Sequence, residues 1–143
     1  MPSVTSGARL DMEIVQGATF LVNLEWQSSN GTPINLSGYT ARMQIRPDHS
    51  STTVLLELTT GNGRITLNTP STGGIELKVT AADAENITFT TGVYDLELIH
   101  IVGAEQVVDN ILYGEVTVRR NVTRPLGFTG NITASAAASS TFT

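Results

Sequence analysis

His49 and His100 are the only histidines of this 143-residue chain, and it has no cysteine. Nitrogen and sulfur donors must cluster to hold a transition metal, and neither an H-x-x-x-H nor an H-E-x-x-H spacing occurs. The lack of thiols also excludes disulfides, Cys-ligated zinc and thiol catalysis. His49 falls in the turn cluster Pro47-Asp48-His49-Ser50-Ser51 and reads as a loop residue, whereas His100 closes an alternating segment. Two carboxylate pairs, Asp83/Glu85 and Asp95/Glu97, are the next candidates. On a strand, Asp95 and Glu97 share one face about 7 Å apart, a separation that a glycoside-cleaving pair could use. Solvated strand faces carry such pairs routinely, and no aromatic cleft signature accompanies this one. The calcium-loop pattern is absent. Gly61-Asn62-Gly63 and Gly73-Gly74 are followed by neither a suitably placed Lys nor a real helix, so they read as turns rather than phosphate cradles. No G-x-S-x-G elbow is present. Sequons at Asn35, Asn86, Asn121 and Asn131 follow from a Thr- and Asn-rich composition and are expected to be unmodified. The expectation is no catalytic residue, no metal ligand and no cofactor.

The elements that would carry these residues are strands. Phe20, Val22, Leu24 and Trp26 alternate with Thr19, Leu21, Asn23 and Glu25, the period of two of a strand with one buried face. Trp26, the single tryptophan, ends this run on the inward side. Tyr39, Ala41, Met43 and Ile45 repeat the pattern. Residues 54–60 and 64–68 flank Gly61-Asn62-Gly63, and residues 75–79 follow Gly73-Gly74, so hairpins are predicted at both places. Tyr94, Leu96 and Leu98 point inward, with Asp95 and Glu97 outward. Residues 107–113 and 114–118 are two closing strands, with Leu112, Gly114, Val116 and Val118 on one face. Thr80, with Asp83 three residues on, predicts a helix of one or two turns. Seven to nine short strands with turn chemistry between them point to an all-β antiparallel sandwich.

Three regions follow. Residues 1–10 read as a flexible lead-in, residues 11–118 as the sandwich and residues 119–143 as an extended, basic and small-residue C-terminal arm. All thirteen acidic residues lie between Asp11 and Glu115; with five basic groups, residues 1–118 carry a net charge of −8. The arm carries +3, from Arg119, Arg120 and Arg124. An acidic body argues against nucleic-acid binding, which needs clustered Lys and Arg. No apolar stretch suggests a membrane span or a secretory leader, so a chain made in the cytoplasm is expected. A basic arm could pair with the acidic face of a neighbouring copy; the plainer alternative is that three arginines only solubilise a strand end. Arg119, Arg120 and Arg124, with the isolated apolar residues Phe128, Ile132 and Phe142, are the candidate partner contacts.

One set of segments resembles a known family. It comprises residues 13–20 (EIVQGATF), residues 31–46 (GTPINLSGYTARMQIR), residues 92–98 (GVYDLEL) and residues 113–118 (YGEVTV). Together they resemble small immunoglobulin-like domains encoded among the structural genes of tailed phages and prophages, and the opening block is similar to that of the N-terminal domain of upper-baseplate proteins. Asn35 and Ser37 stand where that family has Asp and Thr. Tyr94, after a Gly and leading a strand, is similar to the tyrosine corner of immunoglobulin-like sandwiches.

The resemblance implies a virion protein without catalytic residues, a tail-, neck- or baseplate-associated module held by copies of itself and by other virion structural proteins. It implies no nucleic-acid, membrane or small-molecule partner. A capsid decoration or cement protein on the head surface is one alternative. A carbohydrate-binding host-recognition module is another, and it would need an exposed aromatic platform. An enzyme acting through Asp95 and Glu97 is the fourth reading.

Overall fold

The computed structural model describes residues 3–123, without the side chains of residues 68–70. Two β-sheets pack face to face. Strands β1 (Ser3–Val4), β4 (Phe20–Trp26), β8 (Gly74–Val79) and β7 (Ile65–Thr69) form one, in the order β1-β4-β8-β7. The other holds β2 (Ala8–Arg9), β10 (Glu105–Arg119), β9 (Thr91–Val102), β5 (Thr40–Arg46) and β6 (Leu56–Thr59), with β3 (Met12–Val15) also on β10. This is the strand arrangement of an immunoglobulin-like sandwich.

Alternation builds the core as the sequence implies. Leu24, Ile75, Leu77 and Val79 from the first sheet meet Met43, Ile45, Leu96, Leu98 and Leu112 from the second, all buried. Burying each such side chain contributes about 1.5–3 kcal/mol. Helix α1 (Ala81–Glu85) starts where expected, with the Thr80 hydroxyl accepting the amide of Asp83 at 3.2 Å. Its Ala84 is buried under the sandwich.

Three expectations need correction. Residues 3–9 are not a loose lead-in, because β1 pairs in parallel with β4 and β2 in parallel with β10. Val4 is buried, and the chain crosses from one sheet to the other at Gly7 (φ 82). Short strands of polar and small residues carry too weak a periodicity to be seen; the free edges of β4 and β10 create them. Second, Gly61-Asn62-Gly63 is not a hairpin turn, since β6 and β7 belong to different sheets. The Asn62 side chain closes this corner, accepting from the Thr59 and Arg64 amides at 3.0 Å each and donating to the Glu57 carbonyl at 3.0 Å. Gly73 does serve a hairpin, between β7 and β8 through the 3₁₀ turn Pro70–Thr72. A Cβ on Gly73 would stand 2.4 Å from the Trp26 carbonyl oxygen, at a φ of 76.

The third correction concerns the last strands, which are one. β10 runs unbroken for 15 residues beside β9, with a bulge between Asn110 and Leu112. The extra residue lets Ile111 and Leu112 both face inward, at 0% and 1% exposure.

Candidate interaction surface

The outer face of the larger sheet carries the carboxylates singled out in the sequence. Asp95 and Glu97 do project there together, but each has its own partner. Asp95 accepts from the Asn110 amide at 2.9 Å, and Glu97 from the Arg42 guanidinium at 2.7 Å. Gln44 donates to Glu57 at 2.8 Å and accepts from Arg46 at 2.6 Å. The result is a lattice of opposite charges across strands. At the end of this face lies a shallow polar depression of ≈ 360 Å³, bordered by Gln44, Arg46, His49, Asp95, Asn110 and Tyr113. Tyr113 is 42% exposed, and Arg9 lies 5.9 Å from its ring centre.

Asp83 and Glu85 are separated likewise. Asp83 pairs with Arg64 at 2.9 Å, while Glu85 accepts from Asn121 at 3.3 Å. Among the described residues, no group of three His, Cys, Asp or Glu is placed to hold a metal ion. No helix among them is long and apolar enough to cross a membrane.

His100 takes part in an aromatic plug between the sheets. Its ring lies 4.3 Å from that of Tyr39, and Tyr39 meets Trp26 edge-on at 6.0 Å. Burial, reinforced by the Asp109 carboxylate, raises the Tyr39 phenol above its ordinary range. Trp26 is 3% exposed, in the inward position its alternation indicates. Its Nε1 and the Nδ1 of His100 are buried without a hydrogen-bond partner.

Of the residues expected to grip partners, Arg119 and Arg120 are exposed at the pole where β10 ends. Arg119 lies 3.6 Å from Glu13, a pair with both side chains more than half exposed, which contributes little. Arg124, Phe128, Ile132 and Phe142 lie outside the described residues.

At the opposite pole is a feature that the sequence reading missed. β9 and β10 project past their neighbours as a two-stranded ribbon turning at Gly103 (φ 63). Pairing with β5 ends at Thr40–Ile99, and pairing with β2 begins only at Ala8–Leu112. The ribbon exposes Ile101 (64%), Val102 (55%) and Val108 (41%). Its sequence signal was Gly103-Ala104 between two apolar runs, a two-residue hairpin loop.

No protein-family model matches the chain, and no curated protein matches its sequence. Among solved structures, the N-terminal domain of phage TP901-1 ORF48 is similar in fold, with a TM-score of 0.50 at 10% identity. The match covers 82% of this chain and 94% of that domain. A chicken TCR crystal structure has a TM-score of 0.47 at 11% identity, covering 87% of this chain and 59% of the other. The phage domain and this chain therefore share the β-sandwich fold.

Proposed function

We propose that this chain is a non-catalytic structural module of a tailed-phage particle, associated with its tail, neck or baseplate. It is incorporated through contacts with copies of itself and with other virion proteins. The observation that carries the reading is the fold shared with a phage domain over nearly all of that domain's length. The surface chemistry supports it, because the carboxylates most able to act as acid and base are each engaged by a neighbouring side chain. Quantitative mass spectrometry of purified particles, from the phage or prophage whose structural genes encode this chain, tests it. Copy numbers in multiples of six or twelve are expected. Hundreds of copies would move the protein to the capsid surface as a decoration protein, and absence from the particles would overturn the reading.

One observation favours a second reading, a carbohydrate-recognition role. The half-exposed Tyr113 ring borders a depression with Asp95, Asn110, Gln44 and Arg46, the mix of flat apolar and planar polar groups that sugars bind. A glycan array with the native chain and Tyr113→Ala tests it: binding abolished in the variant supports this role, and no binding by the native chain removes it.

A further inference from the structure

Open strand edges are hazards that proteins usually block with Lys, Pro or a covering segment. The β9–β10 ribbon uses neither residue. Residues 100–118 contain no Lys, Arg or Pro. Residues 105–110 of β10 pair with β9 on one side and face no other strand among the described residues. Ile101 and Val108 lie on the outer face of this ribbon, beside the largely buried Ile99. A two-stranded ribbon is marginally stable alone, and this one offers both free backbone groups and apolar side chains. That combination accepts an added strand.

Charge selects the occupant. Glu105 and Asp109 lie on the ribbon, so two ribbons meeting edge to edge would bring like charges together. Residues 124–143, which follow the described chain, begin with Arg124 and carry no acidic group. They also supply Phe128 and Ile132, apolar side chains that can cover Ile101 and Val108.

Geometry then sets the direction. β10 runs from the ribbon to the opposite pole, about 45 Å over its length, and the described chain ends just beyond it at Thr123. The edge of β10 between the two poles is already occupied by β2 and β3. Twenty residues follow Thr123, enough for roughly 65 Å of extended chain. Donor and acceptor at opposite poles make a head-to-tail contact, which closes into a ring or continues as a column.

We infer that the open edge at residues 105–110 is the docking site for residues 124–143 of a second copy of this chain, which add a strand to it. The inference deepens the assembly reading above and rests on it.

The test uses three full-length chains in sedimentation velocity: the native protein, a ribbon variant (Ile101→Lys with Val108→Lys) and an arm variant (Phe128→Asp with Ile132→Asp). The native chain is expected to associate with rising concentration. Each variant should associate roughly tenfold or more weakly, with an unchanged melting temperature. An equimolar mixture of the two variants should recover a complex that stops at two chains, because it contains one intact arm–ribbon pair. Self-association that survives in the arm variant would mean ribbon-to-ribbon pairing and overturn the inference. A native chain that stays monomeric would overturn it too. Hydrogen exchange at residues 105–110 then tells whether the chain's own arm covers the edge, by protection lost in the arm variant, or nothing does. Particles containing the monomeric chain would leave the assembly reading standing while this inference fails, and association in solution without incorporation would do the reverse.

Discussion

The Tyr94 hydroxyl donates to the carbonyl of Leu10, 84 positions away in sequence. An ordinary tyrosine corner ties back a few residues upstream; here the same ring pins the kink between β2 and β3. Burial, with the Asp11 carboxylate adding to it against a smaller pull from Arg9, lifts the Tyr94 phenol far above its usual range. A raised folded value means the contribution is whole below the unfolded pKa near ~10 and fades as pH climbs toward the folded one. Tyr94→Phe should therefore cost about 1–2 kcal/mol at neutral pH, read from the urea midpoint. It should also flatten the alkaline decline expected of the native protein above about pH 10. Gly114 lies beneath the same kink, and a Cβ there would come within 2.3 Å of the Leu10 oxygen. Gly114→Ala is expected to destabilise by about 1–3 kcal/mol, as overpacking does, measured by thermal melting.

At the scale of elements, β10 depends on its bulge. Strict alternation from Leu112 and Gly114 backwards puts Ile111 on the outer face with Tyr113. The bulge turns Ile111 inward instead, fully buried. Ile111→Ala should then cost about 2–4 kcal/mol; a midpoint shift below about 0.5 kcal/mol, usual for surface sites, would show that the side chain faces solvent. The β6–β7 corner is an element of another kind, held by side-chain rather than ladder bonds. Arg64 extends it, donating to the Glu57 carbonyl and to Asp83 of α1, both at 2.9 Å. Asn62→Ala removes three of the corner's hydrogen bonds and should lower stability by about 1–2 kcal/mol, with faster amide exchange at Thr59 and Arg64.

Across the whole molecule, residues 3–15 act as a clasp. They begin on the edge of one sheet, cross at Gly7 and finish along β10 in the other. Deleting residues 1–10 removes a buried Val4 and uncovers the edges of β4 and β10. The expected loss is about 3 kcal/mol or more, together with a tendency to aggregate through the new edges; size-exclusion chromatography and urea unfolding would detect both. The clasp also fixes polarity. With β2 and β3 covering the lower edge of β10, the remaining open edge is confined to the ribbon, a full strand length from where the described chain ends.

The sequence alone determined the class of fold, because seven to nine short alternating strands with turns between them and one short helix bury their apolar faces by packing sheet on sheet. It also determined the capped turn at Thr80 and the inward place of Trp26, both set within a few residues. Only the tertiary structure decided which strands are neighbours, and so which edges stay open. It placed β6 and β7 in different sheets, made strands of residues 3–4 and 8–9, tied Tyr94 to Leu10 and gave Asp95 and Glu97 separate partners. Each of these depends on hydrogen bonds between segments distant in the chain, and a periodicity read along one segment holds no information about the backbone that will lie beside it.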